Sequence, residues 1–112
     1  MGYQSTLTGD PKTEIVNVSR YGKEGVRMID RDTQFGNPFR LEEDGGDYTR
    51  EESVARYETW FKEKIRNDDQ FRAAVEELRG KRLGCWCKPK PCHGDVILAY
   101  LRGHLEIKPD DN

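Results

Sequence analysis

All three cysteines of the chain, and one of its two histidines, fall within nine residues of the stretch Leu83-Gly84-Cys85-Trp86-Cys87-Lys88-Pro89-Lys90-Pro91-Cys92-His93-Gly94-Asp95. Thiols and an imidazole gathered this tightly support three chemistries. Cys85, Cys87, Cys92 and His93 supply four soft donors of the kind that hold a tetrahedral zinc ion, which makes zinc the candidate cofactor. Cys92 can act as a nucleophile, with His93 or Asp95 moving protons. In the plainest reading, Cys85 and Cys87 are small apolar residues of a buried strand and Cys92 only caps a helix. All three remain open at the level of sequence.

Local geometry narrows what the thiols can do. In a strand, Leu83, Cys85 and Cys87 share one face, and Gly84 and Trp86 take the other. Trp86 is therefore expected to point away from the thiols and pack under a helix. Residues two apart in a strand are ~6.6 Å apart at Cα, near the upper limit for a disulfide. A Cys85–Cys87 bond is disfavoured, while either thiol can approach Cys92 across the proline-containing loop. Cys92 falls at the expected start of the last helix. Free N–H groups and the positive end of the helix dipole favour a thiolate there, and Lys88, Lys90 and His93 add positive charge. The same place suits an anion such as phosphate, and Asp95 in the first turn can orient His93 or a substrate.

A second constellation is Arg31-Asp32-Thr33-Gln34-Phe35-Gly36-Asn37-Pro38-Phe39-Arg40. Its guanidiniums, amides and aromatics beside a tight turn suit a nucleotide or an unstacked base. Arg31, Gly36 and Asn37, with Lys88 and Lys90, are the candidate substrate-binding residues. An ordinary turn with its phenylalanines anchored in the core accounts for the same pattern.

The elements that must position these groups follow from the rest of the chain. Thr13 to Ser19 and Val26 to Asp30 read as two short strands, paired as a hairpin or with the first in a central position. Leu41 to Tyr48 reads as an acidic, mobile loop. Thr49-Arg50-Glu51-Glu52 matches a capping box and opens a helix to about Arg66. Its buried stripe is Val54, Tyr57, Phe61 and Ile65, widened by Trp60. Asn67-Asp68-Asp69 breaks that helix and caps a shorter one burying Phe71, Val75 and Leu78, with Gly80 at its C-terminal stop. Lys81 to Cys87 reads as a third strand entering the cluster. A last helix from His93 or Gly94 to Arg102 buries Ile97, Leu98 and Leu101, and Gly103 ends it; His104 lies beyond. The expected architecture is one small α/β layered domain over residues 1–112, with a short sheet of about three strands and about three helices. Residues 1–12 read as a loose lead-in and 108–112 as a flexible tail.

Composition sets outer bounds. At 112 residues the chain can bury roughly two thirds of its unfolded surface, so it needs no metal or disulfide merely to fold. Charged residues make up 36% and the net charge is −2, which argues against a general nucleic-acid coat. The N-terminus carries no apolar core of a signal peptide, and no run approaches the ~18 apolar residues of a membrane span. The expected location is the cytoplasm, where thiols stay reduced, and no membrane partner is expected.

Taken together, these residues resemble the family called domain of unknown function 4326, whose members occur widely in phages and prokaryotes. The resemblance runs from about Ile15 to Leu101. It is carried by Ile29-Asp30-Arg31, Gly36-Asn37-Pro38-Phe39, Arg50 with Tyr57 and Trp60, Leu78-Arg79-Gly80-Lys81, Cys85-Trp86-Cys87 and Cys92-His93-Gly94-Asp95-Val96. It implies an α/β fold and a site joining the Gly-Asn-Pro-Phe loop to the Cys-His segment, and it brings no activity with it. The reading that combines these observations is an enzyme of nucleotide or nucleobase chemistry, zinc-assisted or using Cys92. The alternative is a zinc-stapled, non-catalytic module that binds nucleic acid or protein.

Overall fold

The computed structural model describes residues 13–86, 88 and 90–107. Cys87, the lead-in 1–12 and the tail 108–112 lie outside these residues. The element order is β1 (Glu14–Asn17), α1 (Val18–Tyr21), β2 (Val26–Met28), α2 (Arg50–Asn67), α3 (Asp69–Glu76), β3 (Arg82–Cys85) and α4 (His93–Leu101). The chain forms an α/β fold around a three-stranded sheet of order β1-β3-β2. Both outer strands run parallel to β3, with Asn17 opposite Cys85 and Met28 opposite Gly84.

This topology corrects two expectations. Strands β1 and β2 do not form a hairpin, and β1 is not central. The central strand is β3, whose Leu83, Gly84 and Cys85 are all buried, as a strand covered on both faces requires. The first strand also ends earlier than its β-branched run suggests. Asn17 stops it, because its side-chain oxygen accepts from the Ser19 amide at 2.9 Å and caps the single turn α1. That turn lies close on the sheet. A Cβ built on Gly84 would come within 2.5–2.9 Å of Val26, Val18 and Met28 side-chain atoms, so a side chain there would crowd both α1 and the neighbouring strand β2.

The two crossover helices form as their sequences dictate. Thr49 and Glu52 close the capping box of α2 with bonds of 3.1 and 3.0 Å. Asp68 both terminates α2 and caps α3, where its carboxylate accepts from the Phe71 amide at 3.0 Å. Gly80, in the left-handed region at φ 82°, turns the chain into β3, and its amide donates to Thr13 Oγ1 at 2.7 Å. The core lies between the sheet and α2, α3 and α4. Tyr57, Phe61, Ile65, Phe71, Val75, Leu78, Leu83, Ile97 and Leu101 are all buried there. Val96 joins them, while Leu98 is only half-buried.

Trp86 does not pack under a helix. It leaves the end of β3 half exposed, donates from Nε1 to Asp30 at 3.1 Å and carries Lys23 over its ring at 5.3 Å. Leu41 to Tyr48 forms a short 3-10 turn at Glu42–Asp44, closed by the Glu42 amide donating to the Tyr48 carbonyl at 2.8 Å. Among the described residues no helix is long and apolar enough to cross a membrane.

Candidate functional site

Parallel strands deliver all their C-terminal ends to one edge of a sheet, where ligands of open α/β sheets bind. Here that edge receives Ile29-Asp30-Arg31 after β2 and Cys85-Trp86 after β3. The N-termini of α2 and α4 arrive at the same edge. A cavity of about 170 Å³ opens between them, lined by Asp30, Arg31, Asn37, Arg50, Trp86 and the Cys85, Cys92 and His93 group among others.

Cys92 is the N-cap of α4, and it closes a capping box with Asp95. The Asp95 carboxylate accepts from the Cys92 amide at 3.1 Å and also pairs with Lys88. Burial is the largest single influence on the Lys88 pKa and lowers it, but the bond and charge of Asp95 and the nearby Cys92 and Cys85 sulfurs together outweigh it, for a net upward shift. Lys88 is thus held charged beside the thiols. The Lys88 carbonyl in turn accepts from Asn17 Nδ2 at 2.5 Å, which ties the loop to the end of β1. Cys85 and Cys92 are buried, and their sulfurs stand 3.7 Å apart.

His93 takes a different direction from the one expected. Asp95 does not orient it. Its Nε2 lies 2.5 Å from the Ile29 carbonyl, and a carbonyl can only accept, so Nε2 carries the proton and Nδ1 holds the lone pair. The ring packs edge-on to Tyr57 at 5.2 Å. Burial pushes the His93 pKa down, against the upward pull of the Ile29 carbonyl and Asp30, so the imidazole is neutral at pH 7. Tyr57 donates to the Phe35 carbonyl at 2.7 Å. Burial first, and the nearby Cys92 second, drive its pKa far up, and it stays protonated.

The loop over the cavity is held from both sides. Gly36 folds back onto Asp30 and Arg31, where a Cβ would come within 2.5 Å of Arg31 Cα and 2.6 Å of the Asp30 carbonyl oxygen. Asn37 donates to Ser53 Oγ at 2.7 Å and accepts from the Phe39 amide at 2.9 Å. Ser53, buried on α2, donates to the Phe39 carbonyl at 2.5 Å. Asn37 thus presents from a fixed frame.

The structure brings Arg31, Asn37, Cys85, Cys92 and His93 to one cavity. Gly36 shapes its loop from behind. Lys88 and Asp95 support Cys92 without lining the cavity, Lys90 is exposed, and His104 follows the far end of α4, also exposed. Of the four zinc donors proposed from sequence, Cys85 and Cys92 are adjacent, and the Nε2 of His93 is engaged by Ile29. Among the described residues no group of three or more His, Cys, Asp or Glu is arranged to hold a metal; Cys87 lies outside them. Sequence reasoning missed Asp30, Ser53 and Arg50 as site residues. Arg50 donates to the Pro91 carbonyl and pairs with Glu43, each at 3.1 Å. Its position right after the Thr49 cap was the available signal, since the first turn of a helix faces whatever its N-terminus faces.

An uncharacterised 12.4 kDa protein of Enterobacteria phage T4, from the nrdA-td intergenic region, is 40% identical over 88 residues, covering 79% of this chain and 77% of that protein. No solved structure matches the chain. The family model described as domain of unknown function (DUF4326) matches residues 16–103, most of the length from β1 to the end of α4, and the chain belongs to that family.

Proposed function

We propose that the protein is an enzyme of nucleotide or nucleobase chemistry in which Cys92 is the nucleophile. The observation that carries this reading is the placement of Cys92 at the N-terminus of α4 and in the wall of a cavity that also presents Arg31, Arg50, Asn37 and Trp86. The helix end and the Lys88 ammonium that Asp95 holds in place suit a nucleophilic sulfur. Guanidiniums suit phosphate and the indole suits a base plane. The cavity is smaller than the ~300–1,000 Å³ of drug-sized ligand sites, so the reacting part is a single ring or sugar phosphate. The Asp95 carboxylate is committed to the Cys92 amide and to Lys88. Proton transfer therefore falls to His93, whose Nδ1 takes no hydrogen bond from a described residue. Cys92 adds to an electrophilic ligand carbon, His93 takes the thiol proton, and the leaving group receives it.

The experiment compares wild type with Cys92→Ala across nucleosides, nucleotides and free bases. Ligands should raise the Tm of both proteins, and product should form only with wild type. Turnover by Cys92→Ala, or no thermal shift with any of these ligands, overturns the reading.

A second reading has its own support. Two sulfurs on one tetrahedral zinc, at ~2.3 Å each, stand ~3.8 Å apart, close to the 3.7 Å between Cys85 and Cys92. Cys87 is the natural third donor. Zinc would then staple the strand end to α4 and polarise a bound group. One zinc per chain in protein purified without added metal, with melting on chelation, supports it; its absence refutes it.

A further inference from the structure

We propose that Cys85 and Cys92 form a dithiol–disulfide couple, with Cys92 the attacking thiol, Cys85 the resolving thiol and a small disulfide as the substrate class. Like the reading above, it rests on Cys92 being reactive, but it needs neither a nucleotide nor a metal.

Two features of the geometry support the couple. The sulfurs are 3.7 Å apart, so closing to the ~2.05 Å of a disulfide takes under ~2 Å of travel. Cys92 stands at the turn into α4, and Cys85 is paired opposite Asn17 in the sheet. The two environments also divide the roles. Cys92 caps the helix N-terminus, with the charged Lys88 held beside the thiols by Asp95. Cys85 ends the central strand and Cys92 opens α4; both are buried, 1% and 3% exposed, and both stand in the cavity wall.

The chemistry balances without a further reactant. The Cys92 thiolate attacks one sulfur of R–S–S–R, the S–S bond breaks, and the first thiol leaves carrying the proton Cys92 gave up. Cys85, deprotonated, then attacks the Cys92 sulfur of the mixed disulfide, and the second thiol leaves with the Cys85 proton. The protein loses two electrons and two protons, and R–S–S–R gains both. A buried resolving thiol at this distance makes the second step intramolecular, so the mixed disulfide should not accumulate.

The test treats the reduced full-length protein with bis(2-hydroxyethyl) disulfide at neutral pH, followed by intact mass and non-reducing peptide mapping. Wild type should lose two hydrogens, keep no adduct and map to a Cys85–Cys92 link, and Cys87→Ser should behave the same way. Cys85→Ala, which keeps the strand interior apolar, should hold one hydroxyethylthio group on Cys92. Cys92→Ser should react at least tenfold more slowly at any remaining thiol. A stable adduct on wild-type Cys92, a link through Cys87, or a native protein that does not react overturns the proposal. If the couple fails while Cys92→Ala still abolishes nucleotide turnover, the proposed function stands and only the couple is lost.

Discussion

Replacing Ser53 by alanine tests how the site is held. Ser53 is 1% exposed on α2, and its hydroxyl joins two parts of the loop. It donates to the Phe39 carbonyl at 2.5 Å and accepts from Asn37 Nδ2 at 2.7 Å. Alanine removes both bonds and adds no bulk. The Phe39 carbonyl then loses its hydroxyl donor in a half-buried place, at a cost of about 1–3 kcal/mol. The Asn37 amide lines the cavity and can turn to water, so its loss is smaller, about 0.5–1.5 kcal/mol. Alanine returns up to about 0.5 kcal/mol of helix propensity. The net is about 1–4 kcal/mol, or a fall in Tm of roughly 4–17 °C for a domain of this size. Urea unfolding should show a lower midpoint with an unchanged slope. Ligands of the cavity should also bind more weakly, because Asn37 is released. A Tm within about 1 °C of wild type refutes the reasoning, as does a destabilised variant whose ligand affinity is unaltered.

Three further outcomes follow from the same geometry. Gly36→Ala should lower stability by about 1–3 kcal/mol through backbone overlap with Asp30 and Arg31; a raised urea midpoint, the usual gain when glycine is replaced at a compatible site, would contradict it. The buried His93 declines a proton that the unfolded chain takes below about pH 6.5. Stability is therefore full above that pH and falls as pH drops towards the lower folded value; His93→Gln should flatten this acid limb, and an unchanged slope refutes the assignment. Tyr57, with its pKa raised, stays protonated where the unfolded chain ionises above about pH 10, so stability falls with rising pH by up to about 1.4 kcal/mol per unit. Tyr57→Phe should remove that share of the alkaline loss while costing about 1–2 kcal/mol at pH 7 through the orphaned Phe35 carbonyl.

Elements with local signatures were legible in the sequence. The Thr49–Glu52 capping box and the double role near Asp68 are set by neighbours within four residues, and the structure forms both; the helix expected to stop at Gly80 ends earlier, at Glu76, and Gly80 instead turns the chain into β3. Stripes such as Tyr57-Phe61-Ile65 could be read because burial of one helix face imposes its own spacing. What could not be read depends on long-range partners. Nothing around Trp86 signals that Asp30, 56 residues earlier, will take its indole N–H. Likewise the sequence offers Asp95 as a group to orient His93 or a substrate. The ring instead reaches a carbonyl at the end of β2, and Asp95 turns to the Cys92 amide. Ser53 stands outside the expected stripe, one residue before Val54, and only the folded loop shows what its hydroxyl holds.

The sheet topology was the least legible feature, and the site depends on it. Had β1 and β2 paired as a hairpin, one of them would run antiparallel to β3. If that strand were β2, Asp30 and Arg31 would leave the sheet at the edge opposite the cysteines. The observed parallel order puts the ends of β2 and β3 and the starts of α2 and α4 on one side. That order in turn requires α1 to cross the sheet in a single turn, and Gly84 is what lets it lie so close. A residue with no functional group thus controls whether the functional groups meet. Enlarging it should therefore disturb both stability and Cys92 reactivity. In Gly84→Ala the new Cβ meets side-chain atoms of Val18, Val26 and Met28 rather than backbone, so the chain can still fold at a cost of about 1–3 kcal/mol. If α1 and β2 shift to make room, alkylation of Cys92 slows in the folded variant. If stability drops while the alkylation rate stays at the wild-type value, the coupling between the crossover and the site is refuted.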